Sequence, residues 1–252
     1  MSDFDRNYAA TRRFGADRAV AIDAGLRAHM IRVYNYMAAG VALTGLVAFA
    51  TFQFAVTSTQ TGALALTPFG QAIYGTPLTW LFVLAPLGLV FFLSFRINSL
   101  SASTARALFF VYAASLGLSL SVIFLVYTNA SITRVFFVSA AAFGALSVWG
   151  YTTQRDLTGF GSFLIMGLFG IIIASLVNIF LHSNQLDWII SVIGVIVFAG
   201  LTAWDTQKIK EMYEPMDDGT IAGRKAVMGA LALYLDFINM FLMLLRLFGD
   251  RR

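Results

Sequence analysis

The sequence has no cysteine, only two histidines, and few charged residues: Asp, Glu, Lys and Arg make up 12% of its 252 residues. Without cysteine there is no disulfide, thiolate nucleophile or cysteine-ligated metal. Two histidines are too few for a histidine-rich zinc site. Soluble domains carry about 25% charged residues, and disordered chains combine high charge with low hydrophobicity. Because 59% of this chain is hydrophobic, the sequence predicts an integral membrane protein.

The charges are unevenly spread along the chain. Residues 1–36 hold ten charged groups, whereas residues 33–95 hold none. A transmembrane helix needs about 20 apolar residues, so this uncharged run is long enough for two spans and a neutral connector. We divide the chain into a cytoplasmic N-terminal tail, residues 1–32, and a transmembrane domain, residues 33–252. The tail fits an amphipathic surface helix near Ala19–Arg32 or a partly disordered segment, and no signal peptide is expected.

Seven apolar segments follow the tail, each long enough to cross a bilayer as a helix. The sequence therefore predicts an all-α membrane protein with a bundle of seven transmembrane helices. Small residues four apart recur within the segments and predict close helix contacts, as in Gly117–Ser121, Ala140–Gly144 and Gly170–Ala174. The predicted segments are Tyr36–Val56, Leu78–Ile97, Ala107–Tyr127, Val135–Tyr151, Gly161–Leu181, Trp188–Trp204 and Ala226–Phe248.

The loop charges predict the orientation of the bundle. A cytoplasmic N-terminus places 13 of the 17 Lys and Arg residues on the inside, as the positive-inside rule requires. Seven spans then put Arg246, Arg251 and Arg252 outside, against that rule. Six spans with a re-entrant last segment would return these arginines to the inside. The length of the last segment favours seven.

Asp236 lies where a charge is least expected. It stands about ten residues into the last apolar segment, which is about 15 Å of helix. Ionisable groups at such depth are expensive and mark candidate functional sites. The only polar side chain within one turn is Asn239, a candidate supporting ligand. We expect Asp236 to face the bundle interior, where it binds a partner on another helix or carries a proton; a purely structural hydrogen bond is the alternative.

Asp205 is the second unusual carboxylate, since it ends the sixth segment and helix C-termini disfavour anions. A surface pair with Lys208, three residues on, would also explain it. Because the sixth and seventh segments are consecutive and antiparallel, we expect Asp205 and Asp236 to lie close together. Two adjacent carboxylates titrate as a pair and share a proton. They also offer hard oxygen ligands for a calcium ion, in a site weak enough to release it.

Four sequence motifs resemble the Bax inhibitor-1 family, the transmembrane Bax inhibitor motif proteins. Residues Leu231–Phe248 are similar to the C-terminal signature of that family, and Gly194–Lys210 resembles its sixth-helix motif, in which an aromatic residue precedes Asp. Residues Gly150–Leu157 and Ser119–Phe124 resemble the bacterial branch. The resemblance covers about residues 25–250, nearly the whole chain.

The resemblance implies a seven-helix fold with the last helix central. It implies a pH-sensitive calcium leak gated by an aspartate dyad, whose positions match Asp205 and Asp236. The leak prototype of the family has an acidic residue in helix two and a nearby arginine that locks the closed state. Here residues 78–95 contain no acid, and Arg96 and Arg106 are both candidates for the arginine. We choose Arg96 as the gating counter-ion, with a positive-inside anchor as the alternative.

Two functions remain open from the sequence. The first is a pH-sensitive cation leak channel in a bacterial inner membrane, with calcium and protons as its ligands and no other cofactor. The second, also suggested by the resemblance, is a non-transporting regulator of a membrane-bound protease or another membrane partner. It would use the N-terminal tail, the loop 211–225 or the C-terminus. Nucleic acid is not an expected partner, because the net charge is only +4.

We expect no enzymatic activity. Intramembrane aspartyl proteases place Gly-x-Gly before the second catalytic Asp and a Pro-Ala-Leu motif nearby, but here Leu233–Leu235 precede Asp236 and no proline follows Pro215. A retinal protein needs a lysine midway along helix seven, and the last lysine, Lys225, stands at its entrance.

A serine intramembrane protease needs a buried serine and histidine. Ser162 lies in a predicted span, but His29 and His182 both fall outside the predicted spans.

Overall fold

The computed structural model describes the backbone of residues 3–58 and 64–252 and the side chains of residues 23–57 and 64–252. Seven candidate spans in this part of the chain are long and apolar enough to cross a membrane, which confirms the predicted all-α membrane fold. Its elements are α1 (Asp3–Ala55), β1 (Val56–Ser58), β2 (Leu64–Leu66), α2 (Pro68–Tyr74), α3 (Leu78–Arg96), α4 (Ala102–Leu120), α5 (Ile123–Val126), α6 (Asn129–Thr152), α7 (Thr158–Leu181), α8 (Asn184–Glu211) and α9 (Gly219–Phe248).

Polar caps set where several helices begin. Ser101, Thr128, Ser183 and Asp218 precede α4, α6, α8 and α9, and each side chain accepts a hydrogen bond from a free backbone N–H in the first turn. The capped helices therefore begin before the predicted apolar segments. Helix α9 is the clearest case, since it begins at Gly219, seven residues before the predicted segment Ala226–Phe248. Helix α8 also runs on to Glu211, past the predicted end at Trp204.

The first span begins earlier than predicted. Helix α1 continues without a break across the predicted boundary at residue 32, and its candidate span is Asp23–Ala55. His29 therefore lies on this continuous helix and is buried. The side chains of residues 1–22 lie outside the described residues.

The third span is broken, where the sequence predicted one helix over residues 107–127. Helix α4 ends at Leu120 and α5 begins at Ile123. The buried hydroxyl of Ser121 donates to the carbonyl oxygen of Leu118 at 2.6 Å and accepts from the Tyr74 hydroxyl at 2.7 Å. A serine that bonds its own backbone competes with the helical ladder and favours a bend.

The predicted neutral connector between the first two spans has structure of its own. Strands β1 and β2 pair antiparallel, and α2 follows them. Thr67 caps α2 through the backbone N–H of Gly70 at 3.1 Å, and Pro68 occupies the first helical position, where no backbone donor is needed.

Helix α9 has the largest buried share among the described spans. In its most apolar window 72% of residues are buried, against 11% in α3 and in α7. It packs against α1, α4, α6 and α8, whereas α3 packs chiefly against α4 and α7 chiefly against α8. Helix α9 also crosses the bundle as one continuous helix of 30 residues, so the alternative of a re-entrant last segment does not hold.

The C-terminal residues fold back onto the start of α6. The backbone carbonyl of Asp250 accepts a hydrogen bond from the Thr128 backbone N–H at 3.0 Å, and its side chain pairs with Arg134 at 2.6 Å. The backbone N–H of Arg252 donates to the Val126 carbonyl at 2.9 Å, and its guanidinium donates to the Tyr127 carbonyl at 3.2 Å. We call this end, with residues 250–252, the C-terminal end of the bundle; loops 97–101, 153–157 and 212–218 lie at the opposite end.

Small residues make close contacts at different positions from those predicted. A Cβ on Gly117 would lie 2.7 Å from the Thr44 carbonyl oxygen, so the predicted contact of Gly117 is confirmed. Gly144 and Gly170 are exposed, and a Cβ placed on either would have nothing within 4 Å, so those two predictions are wrong. The tightest glycine between α6 and α8 is Gly150, which the sequence spacing missed.

A buried hydrogen-bond chain joins α1, α4 and α9. The Thr44 hydroxyl donates to the Ala113 carbonyl at 2.8 Å and accepts from the Tyr234 hydroxyl at 2.6 Å. We expect Tyr234→Phe to lower the free energy of unfolding by only about 0.6 kcal/mol, because Thr44 keeps its bond to Ala113. Thermal unfolding of a double-mutant cycle with Thr44→Val measures the coupling; zero coupling would contradict the bond.

Candidate ion site

The register between α8 and α9 sets the positions of the two aspartates. Gly229 packs on Ile209 and Gly194 packs on Met243, with distances of 3.1 and 2.9 Å from a Cβ placed on each glycine. Between these two contacts the antiparallel helices run side by side, so Asp205 lies within about one helical turn of Asp236. The glycines favour this close approach, because a Cβ at either position would require the facing Met243 or Ile209 side chain to shift.

A cavity of about 690 Å³ lies against this helix pair. Its walls come from α7, α8 and α9, and most of its lining is aliphatic. Its polar groups are few and lie on α8 and α9: Asp205, Lys208, Asp236 and Asn239, with Ser175 on α7. The structure thus brings together the three residues Asp205, Asp236 and Asn239 that were selected from the sequence.

The two carboxyl groups lie close enough to hydrogen-bond to each other when one carries a proton. Asp236 is 4% exposed, and its Oδ2 atom has no hydrogen-bond partner among the described residues. Asp205 is half-buried. An ionised carboxylate buried without a partner is strongly unfavourable. A proton shared by the pair, or a cation bound between them, would satisfy it.

Asn239 adds a third candidate oxygen ligand beside the two carboxyl groups. Its Nδ2 donates to the Leu235 carbonyl at 2.8 Å, which leaves Oδ1 as an acceptor about one turn from Asp236. Calcium takes six to eight oxygen ligands, and the described residues contain no group of three or more His, Cys, Asp and Glu side chains that could hold a metal. Two carboxylates and one amide oxygen therefore suit a weakly held cation that keeps water ligands.

Comparison with known proteins identifies the family. The family model described as "Inhibitor of apoptosis-promoting Bax1" matches residues 26–252. The chain belongs to this family. Inner membrane protein YbhL of Escherichia coli K12 is 48% identical over 239 residues, covering 94% of this chain and 97% of the relative. Uncharacterized protein RP147 of Rickettsia prowazekii is 45% identical over 252 residues, the full length of both chains. The resemblance drawn from the motifs is confirmed.

In this Bax inhibitor-1 family member one basic side chain, a lysine, lies among the described residues that line the cavity with the aspartates. Lys208 lines the cavity, and its Nζ lies 4.9 Å from the centre of the Trp204 ring. Arg96, the predicted gating counter-ion, is exposed at the end of α3 and is not among the lining residues. Sequence reasoning assigned Lys208 only the role of a surface partner, because a lysine at the end of a span is the usual positive-inside signal.

Side chains near the end of α8 hold the loop between α6 and α7. The buried Gln207 accepts from the Leu157 backbone N–H and donates to the Arg155 carbonyl, both at 2.8 Å. These two bonds fix the end of α8 that carries Asp205 to the loop.

In the same loop, hydrogen bonds from the side chain and backbone of Thr158 lower the pKa of the exposed Asp156.

Proposed function

We propose that this protein is a pH-sensitive cation leak channel, with calcium as the leading permeant ion and Asp205 and Asp236 as its ion-binding and proton-sensing residues. One observation carries the proposal: the two carboxyl groups adjoin in a cavity within the candidate spans, and one oxygen of Asp236 has no partner among the described residues. Carboxylates at this depth are rare unless they serve a function.

Protons and cations would compete for the same two carboxylates. With both groups ionised, the pair carries two negative charges and attracts a divalent cation. One proton halves that charge and replaces the cation with a hydrogen bond between the carboxyl groups. Occupancy of the site would therefore change with pH. The small number of protein ligands supports release as well as binding.

The proposed setting is a bacterial inner membrane, with the N-terminus in the cytoplasm. The relative YbhL is named an inner membrane protein, and seven candidate spans are present in the described part of this chain. The positive-inside count supports the orientation, since 13 of 17 Lys and Arg residues fall on the cytoplasmic side.

Calcium influx into proteoliposomes of the purified protein at pH 6, 7 and 8 tests the proposal. We expect wild-type flux to vary with pH, and we expect Asp205→Asn and Asp236→Asn to abolish that dependence. Asp187→Asn is the matched control, because this α8 aspartate pairs with Arg246 at 3.4 Å, away from the cavity; it should behave as wild type.

Flux no greater than that of empty liposomes at every pH would contradict a channel. Capture of a membrane-bound protease that is unaffected by Asp205→Asn would then favour the regulator. A flux whose pH dependence survives both aspartate substitutions would contradict the role of the pair.

A further inference from the structure

We propose that Lys208 is a counter-ion built into the site of Asp205 and Asp236. Its ammonium group competes with the permeant cation for Asp205. The inference rests on the proposed leak function and assigns the gating charge to α8 instead of to Arg96 on α3. It makes Lys208 a residue that sets cation affinity and the discrimination between divalent and monovalent ions.

Helix geometry gives the Lys208 ammonium two positions. Lys208 is three residues after Asp205 and four after Trp204, so all three side chains share one face of α8. In the structure the ammonium lies over the Trp204 ring at 4.9 Å. Three ion pairs are present in the described part of the chain, and none of them joins Lys208 to Asp205. A flexible four-carbon stem allows either position.

When a cation occupies the carboxylates, the lysine ammonium binds over the Trp204 ring instead. A cation–π contact of this kind is worth about two- to fivefold in an equilibrium at an exposed site. That is weak enough for the ammonium to leave the ring and neutralise Asp205 when the site holds no ion. The cavity thus contains both the carboxylate for which Lys208 competes and the ring that receives it.

Three other basic side chains, which lie at the end of the bundle opposite the C-terminal end, have partners outside the cavity. Lys225 pairs with Asp217 at 2.5 Å, Lys210 donates to the Tyr151 carbonyl at 3.0 Å, and Arg224 donates to the Asn98 carbonyl. These contacts hold loops and helix ends together. Among the described residues that line the cavity, Lys208 is the single Lys or Arg side chain.

Ion valence gives this counter-ion a measurable signature. A unit charge about 6 Å from a bound ion in a water-like dielectric weakens monovalent binding about threefold and divalent binding about tenfold. Removing the lysine charge should therefore lower the half-saturating calcium concentration about tenfold and the half-saturating sodium concentration about threefold. A change in packing alone would have no reason to follow valence.

The experiment measures half-saturation for calcium and for sodium in proteoliposomes. Lys208→Met removes the charge and keeps an apolar stem over Trp204, while Lys208→Arg keeps the charge. We expect the unequal shifts in Lys208→Met and wild-type values in Lys208→Arg. Lys210→Met is the matched control on the same helix, and Arg96→Met tests the other counter-ion; both should stay at wild type.

Each other outcome is decisive. No shift for either ion in Lys208→Met, or the same shifts in Lys208→Arg as in Lys208→Met, would overturn the inference while the leak itself stands. A valence-dependent shift in Arg96→Met without one in Lys208→Met would assign the counter-ion to α3. Absence of wild-type flux would remove the proposed function, and this inference with it.

Discussion

Replacing Gly150 with leucine is expected to prevent stable folding. Gly150 lies on α6 against α8, and a Cβ at this position would overlap the carbonyl oxygen of Ala203. The obstacle is backbone, so no rotamer change can relieve it and the two helices must separate. Overpacking in a protein interior destabilises by about 1–3 kcal/mol and sometimes more. We expect a loss of about 3 kcal/mol or more, seen as aggregation on size exclusion or a large fall in Tm.

The matched control is Gly144→Leu on the same helix. Gly144 is exposed on the surface of the bundle, and no neighbouring atom of the described residues lies within 4 Å of a Cβ placed there. Gly144→Leu makes the same chemical change in the same helix and changes helix propensity equally, but it creates no overlap. Its Tm should therefore stay near the wild-type value. A Gly150→Leu protein as stable as Gly144→Leu would contradict the close α6–α8 contact, which positions the end of α8 that carries Asp205.

Asp236→Leu is expected to stabilise the protein while removing its proposed function. The Asp236 side chain is 4% exposed and one of its oxygens has no partner among the described residues. A buried polar group without a partner costs about 1–3 kcal/mol, and a charged group costs more. Leucine has the same branching and no polar atom, and the adjoining cavity of about 690 Å³ can accept its larger methyl groups. We therefore expect the free energy of unfolding to rise by about 1–3 kcal/mol, measured by thermal or denaturant unfolding in detergent.

Two further variants separate charge from packing. Asp236→Asn removes the charge but keeps a polar group, so its gain should be smaller than that of Asp236→Leu. Asp187→Leu replaces a partly exposed aspartate on α8 and should change stability little. A large destabilisation by Asp236→Leu would mean that the carboxyl group has stabilising partners, and would weaken the case for an ion site.

Much of the site could be predicted from the sequence because the bilayer makes polar residues conspicuous. Asp236 stands among apolar residues in its span. Asp205 was selected as an anion at a helix C-terminus, but α8 continues to Glu211 and places Asp205 about two turns before that end. The consecutive, antiparallel order of their helices then brings the two together. Asn239 was selected as a candidate ligand because it lies three residues after Asp236, on the same face of the helix. Each of these arguments uses one helix or one pair of neighbours.

Lys208 could not be selected in the same way. Its spacing from Asp205 is equally consistent with a surface pair, and lysines at span ends are expected on the cytoplasmic side. Only the packing of α7 beside α8 and α9 makes a cavity in which this lysine shares space with both aspartates. Arg96 was selected because the resemblance pointed to helix two, but the end of α3 lies apart from the cavity lining.

The sequence also could not show which glycines lie in close helix contacts. In a soluble protein the polar face of a helix shows which side is buried, but in lipid both faces are apolar. Gly144 and Gly150 are therefore indistinguishable by pattern, although one faces outward and the other contacts Ala203. The bend at Ser121 depends on the hydroxyl of Tyr74, a partner from another element.

The burial of α9 constrains the order of assembly during synthesis. Helix α9 comes after all the other candidate spans in the chain, yet it packs against α1, α4, α6 and α8. Those four helices leave the ribosome first and must wait in the bilayer with the surfaces that contact α9 uncovered. In that interval the Thr44 hydroxyl has no Tyr234 to accept from. Arrival of α9 therefore covers all four surfaces at once, and a substitution that disrupts this one helix leaves all four uncovered.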